Sequence, residues 1–89
     1  MFLHIGNNRI LEVKDIIGIF NLESIENTKE YQKIKESLQD KRCIEKEDTM
    51  SKNKTFILTK EKGQEKGYFS NISSFTIAKR NKIEKQKTL

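Results

Sequence analysis

The run Asp15-Ile16-Ile17-Gly18-Ile19-Phe20-Asn21-Leu22 constrains this chain more than any other. It is apolar on both alternating faces and rich in β-branched residues, which suits a strand covered on two sides. A helix over the same residues is the alternative, because a short apolar run does not fix its own period. Gly18 in its middle implies close approach of a neighbouring backbone or side chain. Covering both faces is a heavy demand on 89 residues of which 34 % are apolar and 35 % charged. A domain of this size buries only about 60–65 % of its unfolded surface. Cys43 is the only cysteine and His4 the only histidine, so neither a disulfide framework nor a histidine-rich metal site makes up the difference. A second subunit over one face would, and a homo-oligomer is therefore expected.

Around that strand the chain reads as a single α+β domain. Residues 2–5 and 10–13 are expected as short strands, with Gly6-Asn7-Asn8 as a tight turn of positive φ. The clearest helix spans about residues 28–41. Asn27 caps it, Glu30 completes a capping box, and Tyr31, Ile34 and Leu38 form a narrow apolar face. Cys43-Ile44 reads as a short edge strand before a polar loop. Thr55-Phe56-Ile57-Leu58-Thr59 is a strong strand; residues 60–66 form a turn around Gly63, and Gly67-Tyr68-Phe69-Ser70 returns. A second helix follows, with Ser73 as cap, Ile72 and Ile77 as a hydrophobic staple, and Phe75 and Ala78 facing the sheet. Residues 81–89 are a basic tail expected to fray.

Charge is distributed unevenly. Residues 1–48 carry 8 Lys/Arg and 10 Asp/Glu, a net of −2, whereas residues 49–89 carry 10 Lys/Arg and 3 Asp/Glu, a net of +7. A basic half suits nucleic acid or an anionic membrane surface, and it also suits a merely solvated face. Lys52 and Lys54 precede a strand, while Lys79, Arg80 and Lys82 gather on the last helix. Such cations reach phosphates and release counterions on binding. On spacing alone, nucleic-acid binding and a solvated surface stand even.

Catalytic patterns are missing from the sequence. The glycines are too scattered for a phosphate-cradling loop. Cys43 reads as a small buried hydrophobe, and His4 as a structural or exposed strand residue. Glu45, Glu47 and Asp48 lack the spacing of a calcium loop. An enzyme is not expected, nor a cofactor, a metal or a small-molecule substrate. The apolar runs are too short to span a bilayer, the N-terminus lacks a signal-peptide pattern, and a lone cysteine suits a reducing compartment. The expected location is cytoplasmic, with no membrane partner.

Four blocks carry a family resemblance. Phe2-Leu3-His4-Ile5-Gly6, Lys14-Asp15-Ile16-Ile17-Gly18-Ile19-Phe20-Asn21-Leu22, Lys54-Thr55-Phe56-Ile57-Leu58-Thr59 and Ile72-Ser73-Ser74-Phe75-Thr76-Ile77-Ala78-Lys79-Arg80 occur in order. Together they resemble the RemA/RemB family, extracellular-matrix (biofilm) gene regulators of Gram-positive, spore-forming bacteria. The resemblance covers nearly residues 1–80. It implies a non-enzymatic transcriptional regulator that binds double-stranded DNA through a ring-like homo-oligomer. The family's arginine-rich loop matches Ser51, Lys52 and Lys54, so lysines stand where that family carries arginines. A further basic position of the family falls near Lys14-Asp15. The DNA contacts expected here are Lys52, Lys54, Lys79 and Arg80. The expected fold is a small antiparallel sheet with two helices. The alternative function is a structural or adaptor protein whose oligomer binds another protein.

Overall fold

A computed structural model describes residues 1–6, 8–45 and 53–87. Strands β1 (Phe2–Gly6) and β2 (Arg9–Glu12) form a hairpin, and a 3-10 turn at Val13–Asp15 leads into β3 (Ile16–Asn21). Two helices follow, α1 (Leu22–Ile25) and α2 (Lys29–Asp40). Strands β4 (Thr55–Glu61) and β5 (Gln64–Ser70) and helix α3 (Ser74–Lys87) complete the chain. The fold is α+β and antiparallel, as expected. Among the described residues it has two sheets, β1–β2 and β3–β4–β5, rather than one, and the short α1 is a third helix.

β4 is the centre of the molecule, because its alternation feeds two cores. Ile57 points into one, with Leu3, Ile5, Leu11, Val13 and Ile77, so the β1–β2 hairpin and α3 cover that face. Phe56 and Leu58 point into the other, with Leu22, Tyr31, Leu38 and Phe69, so α2 covers the opposite face. Phe56 holds this second core together. The Tyr31 ring meets it edge-on at 5.3 Å between centroids, Phe69 at 5.6 Å and Phe20 at 6.4 Å. Such pairs add to plain burial. Hydroxyls tie the layers: Ser70 Oγ donates to Ile5 O, and Thr55 Oγ1 donates to Ile72 O at 2.6 Å.

β3 is a strand, but the expected burial on both faces is wrong for the single chain. No residue of β3 is buried, and Ile17 is 54 % and Phe20 38 % exposed. The reason is topological: β3 pairs with β4 on one side only. A bulge at Ile17 interrupts that pairing between Ile16 and Gly18. Gly18 does receive a close neighbour, since a Cβ there would stand 2.5 Å from the Phe20 ring.

Several local expectations shift. Thr28, not Asn27, caps α2, its Oγ1 accepting from Tyr31 N–H at 3.2 Å. Tyr31 and Leu38 are buried, but Ile34 is 38 % exposed, so the apolar stripe is narrower than its spacing implied. The β4–β5 turn is two residues, Lys62-Gly63, both at positive φ (53° and 82°). That is the tight hairpin geometry matching the natural strand twist. The seven-residue turn expected over 60–66 is thus mostly strand. Cys43 and Ile44 lie beside β5, where Ile44 makes an isolated parallel bridge to Gly67.

At α3 the cap is as expected, with Ser73 Oγ accepting from Thr76 N–H at 3.2 Å. Ile72 and Ile77 pack in the same core. Phe75 and Ala78 do not face the sheet: Ala78 is exposed and Phe75 is 77 % exposed. Ile77, fully buried, is the anchor, and one helical step of ~100° turns neighbouring positions away from it. The helix continues through Lys87.

Candidate nucleic-acid interface

Lys54 sits just before β4, and its backbone is fixed on both sides. Its N–H donates to Ser70 O at 2.8 Å, and its O accepts from Leu22 N–H at 2.9 Å. The side chain is exposed, so a hydrogen-bonded backbone carries a solvent-facing cation. Lys54 lines a cleft of about 490 Å³ with Asn53, Ser73 and Ser74 at the start of α3. Glu23 and Glu26 line the same cleft, which lowers its positive potential.

Lys79, Arg80 and Lys82 are exposed on α3. Arg80 leans to β1, where its Nη1 donates to His4 O at 3.4 Å. Lys79 and Lys82, three residues apart, share a helix face. From Ser74 to Arg80 the axis rises roughly 9 Å at about 1.5 Å per residue. Helix α3 therefore joins the Lys54 cleft at its start to the cationic turn that follows. Lys52, Ser51, Glu47 and Asp48 lie outside the described residues. Lys14 and Asp15 fall in the 3-10 turn ahead of β3. His4 is exposed, and Cys43 is half-buried with its Sγ donating to Lys41 O at 3.3 Å.

A second cationic group went unread in the sequence. Arg9, Arg42 and Lys66 line one shallow groove beside Tyr68 and Glu45. Arg9 Nη2 pairs with Glu45 Oε2 at 2.5 Å, and Lys66 Nζ stands 3.8 Å from Glu61 Oε1. Arg42 makes no ion pair among the described residues and holds a left-handed backbone, φ 55°. Its N–H donates to Gln39 O at 3.0 Å and that of Cys43 to Leu38 O at 2.8 Å. This is a helix-terminating loop whose left-handed position is usually glycine.

Glu61 organises the neighbouring surface. Its Oε2 accepts from Thr59 Oγ1 at 2.6 Å and from Tyr68 Oη at 2.7 Å. Burial raises its carboxyl, but the hydrogen bonds from Thr59 and Tyr68 and the charge of Lys66 outweigh it. The group ends below its ordinary value. Burial, then the hydrogen bond and charge of Glu61, push the Tyr68 phenol well above its ordinary range. The alternation of β4 and β5 gives this cluster once the two-residue turn is known, because Thr59 faces Lys66 and Ile57 faces Tyr68. Misplacing the turn hid it.

Among the described residues, no three His, Cys, Asp or Glu gather as a metal site. Nor is any helix among them long and apolar enough to cross a membrane. Compared with known families and with curated proteins, the chain matches no family model and no curated protein.

Proposed function

We propose that this chain is a non-enzymatic, cytoplasmic DNA-binding regulator of the extracellular-matrix (biofilm) type, acting through the basic surface of a homo-oligomer. One observation carries the reading: α3 links Lys54, at its capped start, to exposed Lys79, Arg80 and Lys82 farther along the helix. The mechanism is avidity. Each subunit makes a few phosphate contacts, and the assembly repeats them. Lysines serve as point charges without the bidentate fork of arginine, so affinity is salt-sensitive and base preference weak. The family resemblance adds the ring-like assembly and the double-stranded target.

The test is retention of duplex DNA across a salt series. Lys54→Ala combined with Lys79→Ala and Arg80→Ala is expected to remove three phosphate contacts. That would reduce the steepness of log affinity against log salt by about 2–3. An unchanged slope would discard these contacts, and no retention at low salt would discard DNA as the ligand. The second reading is an adaptor for another protein, favoured by exposed Phe2 and Phe75. On that reading Phe75→Ser removes partner binding while any DNA retention is unaffected.

A further inference from the structure

Helix α3 turns one face to the core and the opposite face to solvent. Ile77 anchors the inner face and is fully buried. Phe75 lies about 160° around the helix from it. Phe75 is 77 % exposed, more than any other large apolar side chain among the described residues, and its ring packs on no other ring there. Lys79 and Lys82 follow it by four and seven residues, so all three fall within about 60° of arc on the outer face. Neither lysine makes an ion pair among the described residues. From Ser74 to Lys82 the helix carries three cations and no acid. The third cation, Arg80, leans to His4 O on β1. From Phe75 to Lys82 the axis rises about 10 Å, the rise of roughly three stacked nucleotides.

We infer that this outer face of α3 takes nucleic acid with unpaired bases, one base stacking on the Phe75 ring while Lys79 and Lys82 hold flanking phosphates. This rests on the nucleic-acid reading above and names the form of the strand. The lysines select a polyanion, and the ring then selects among polyanions. In an uninterrupted duplex each base face is covered by its neighbours, so a protein reaches phosphates and groove edges only. A single strand, a bubble or a frayed end shows the flat face of a base, and an exposed aromatic ring stacks on that face whatever the base. A ring standing clear of the helix among lysines gains nothing from duplex phosphates and gains directly from an unpaired base. Glu23 and Glu26 line the Lys54 cleft, so the acid-free stretch is the outer face of α3 rather than the cleft. An anionic bilayer would also attract the lysines. Adhesion to a bilayer scales with the apolar area that enters it, and this face offers a single ring beside exposed Ala78.

The full chain is titrated against oligothymidine, a duplex of equal length and an abasic strand of equal length. Oligothymidine is expected to bind at least about fivefold more tightly than the abasic strand. Phe75→Ala removes that advantage and changes duplex retention less than about twofold, whereas Phe75→Trp keeps it. Lys79→Ala with Lys82→Ala weakens all three ligands and flattens their salt dependence. Circular dichroism checks that the variants stay folded. Equal affinity for oligothymidine and the abasic strand would overturn the inference. So would a Phe75→Ala loss as large on duplex as on the single strand, or Phe75-dependent binding to phosphatidylserine vesicles with none to the strand. Duplex retention with Phe75 silent on every ligand discards this inference and leaves the DNA reading standing. No retention of any of the three at low salt discards both. Strand retention without duplex retention upholds the inference and discards the double-stranded target.

Discussion

The two edges of the β3–β4–β5 sheet are managed in opposite ways. Along β5, the chain returns over its own edge: Gly67 N–H donates to Cys43 O and Glu45 N–H to Gly67 O, both at 2.9 Å. Along β3 nothing from the described chain returns. Both edges carry a glycine opposite Leu58, Gly18 on one side and Gly67 on the other. At Gly67 an added Cβ would meet the Phe56 ring at 2.8 Å and Leu38 at 3.1 Å, inside a packed core. At Gly18 it would meet only the ring of half-exposed Phe20. The same residue type thus serves packing on one edge and leaves slack on the other. A covered edge is rigid and complete; an open one is available.

The comparison can be broken most severely at its shared axis. Phe56→Ala removes the ring that all three other aromatics of this core touch and should cost about 3–5 kcal/mol. Phe20→Ala, at the open edge, should cost clearly less in the same urea titration. Equal losses would mean that β3 is as well packed as β5. Next come the glycines. Gly67→Ala should destabilise by about 1–3 kcal/mol through overpacking. Gly18→Ala should stay within about 1 kcal/mol, because the Phe20 ring can swing outward. Thermal melts of the pair decide whether the two edges differ as described.

Arg42→Gly probes the loop that brings the chain back over β5. Glycine relieves the left-handed strain and should stabilise by about 1 kcal/mol. A loss instead would assign the arginine a packing role that outweighs its strain. The smallest effects are those of pH. Glu61 has a lowered folded pKa, so its contribution is full above the ordinary carboxyl range and fades as pH falls through the lowered value. Tyr68 has a raised one, so its contribution is full below the ordinary phenol value and falls away as pH climbs above about 10. Glu61→Gln should flatten the acid limb of a stability–pH profile, and Tyr68→Phe the alkaline limb.

Much of this was legible in the residues themselves. The β4 strand, Ser73 as a cap and the Ile72–Ile77 staple follow from local pattern, since each depends on neighbours a few residues away. The Thr28 cap was missed by one residue because Asn27 and Thr28 are both good caps, and only the geometry of the preceding turn chooses. Phe75 was misplaced because a short helix offers two apolar faces, and the sheet takes the one bearing Ile77. Of the cationic groups, exposed Lys54, Lys79 and Arg80 were singled out in the sequence as candidates. The Arg9–Arg42–Lys66 group was not, because its members come from three distant segments.

The sequence by itself determined an α+β arrangement with a strongly basic second half, a hairpin core strand and a strand too apolar for an exposed position. Tertiary structure decided where that apolar strand went. Pairing with β4 on one side alone set it at an edge, because among the described residues the segment 43–45 folds back over β5 and none pairs with the outer side of β3. Local propensity reports what a segment prefers to bury; only the order of strands in the sheet decides whether anything arrives to bury it.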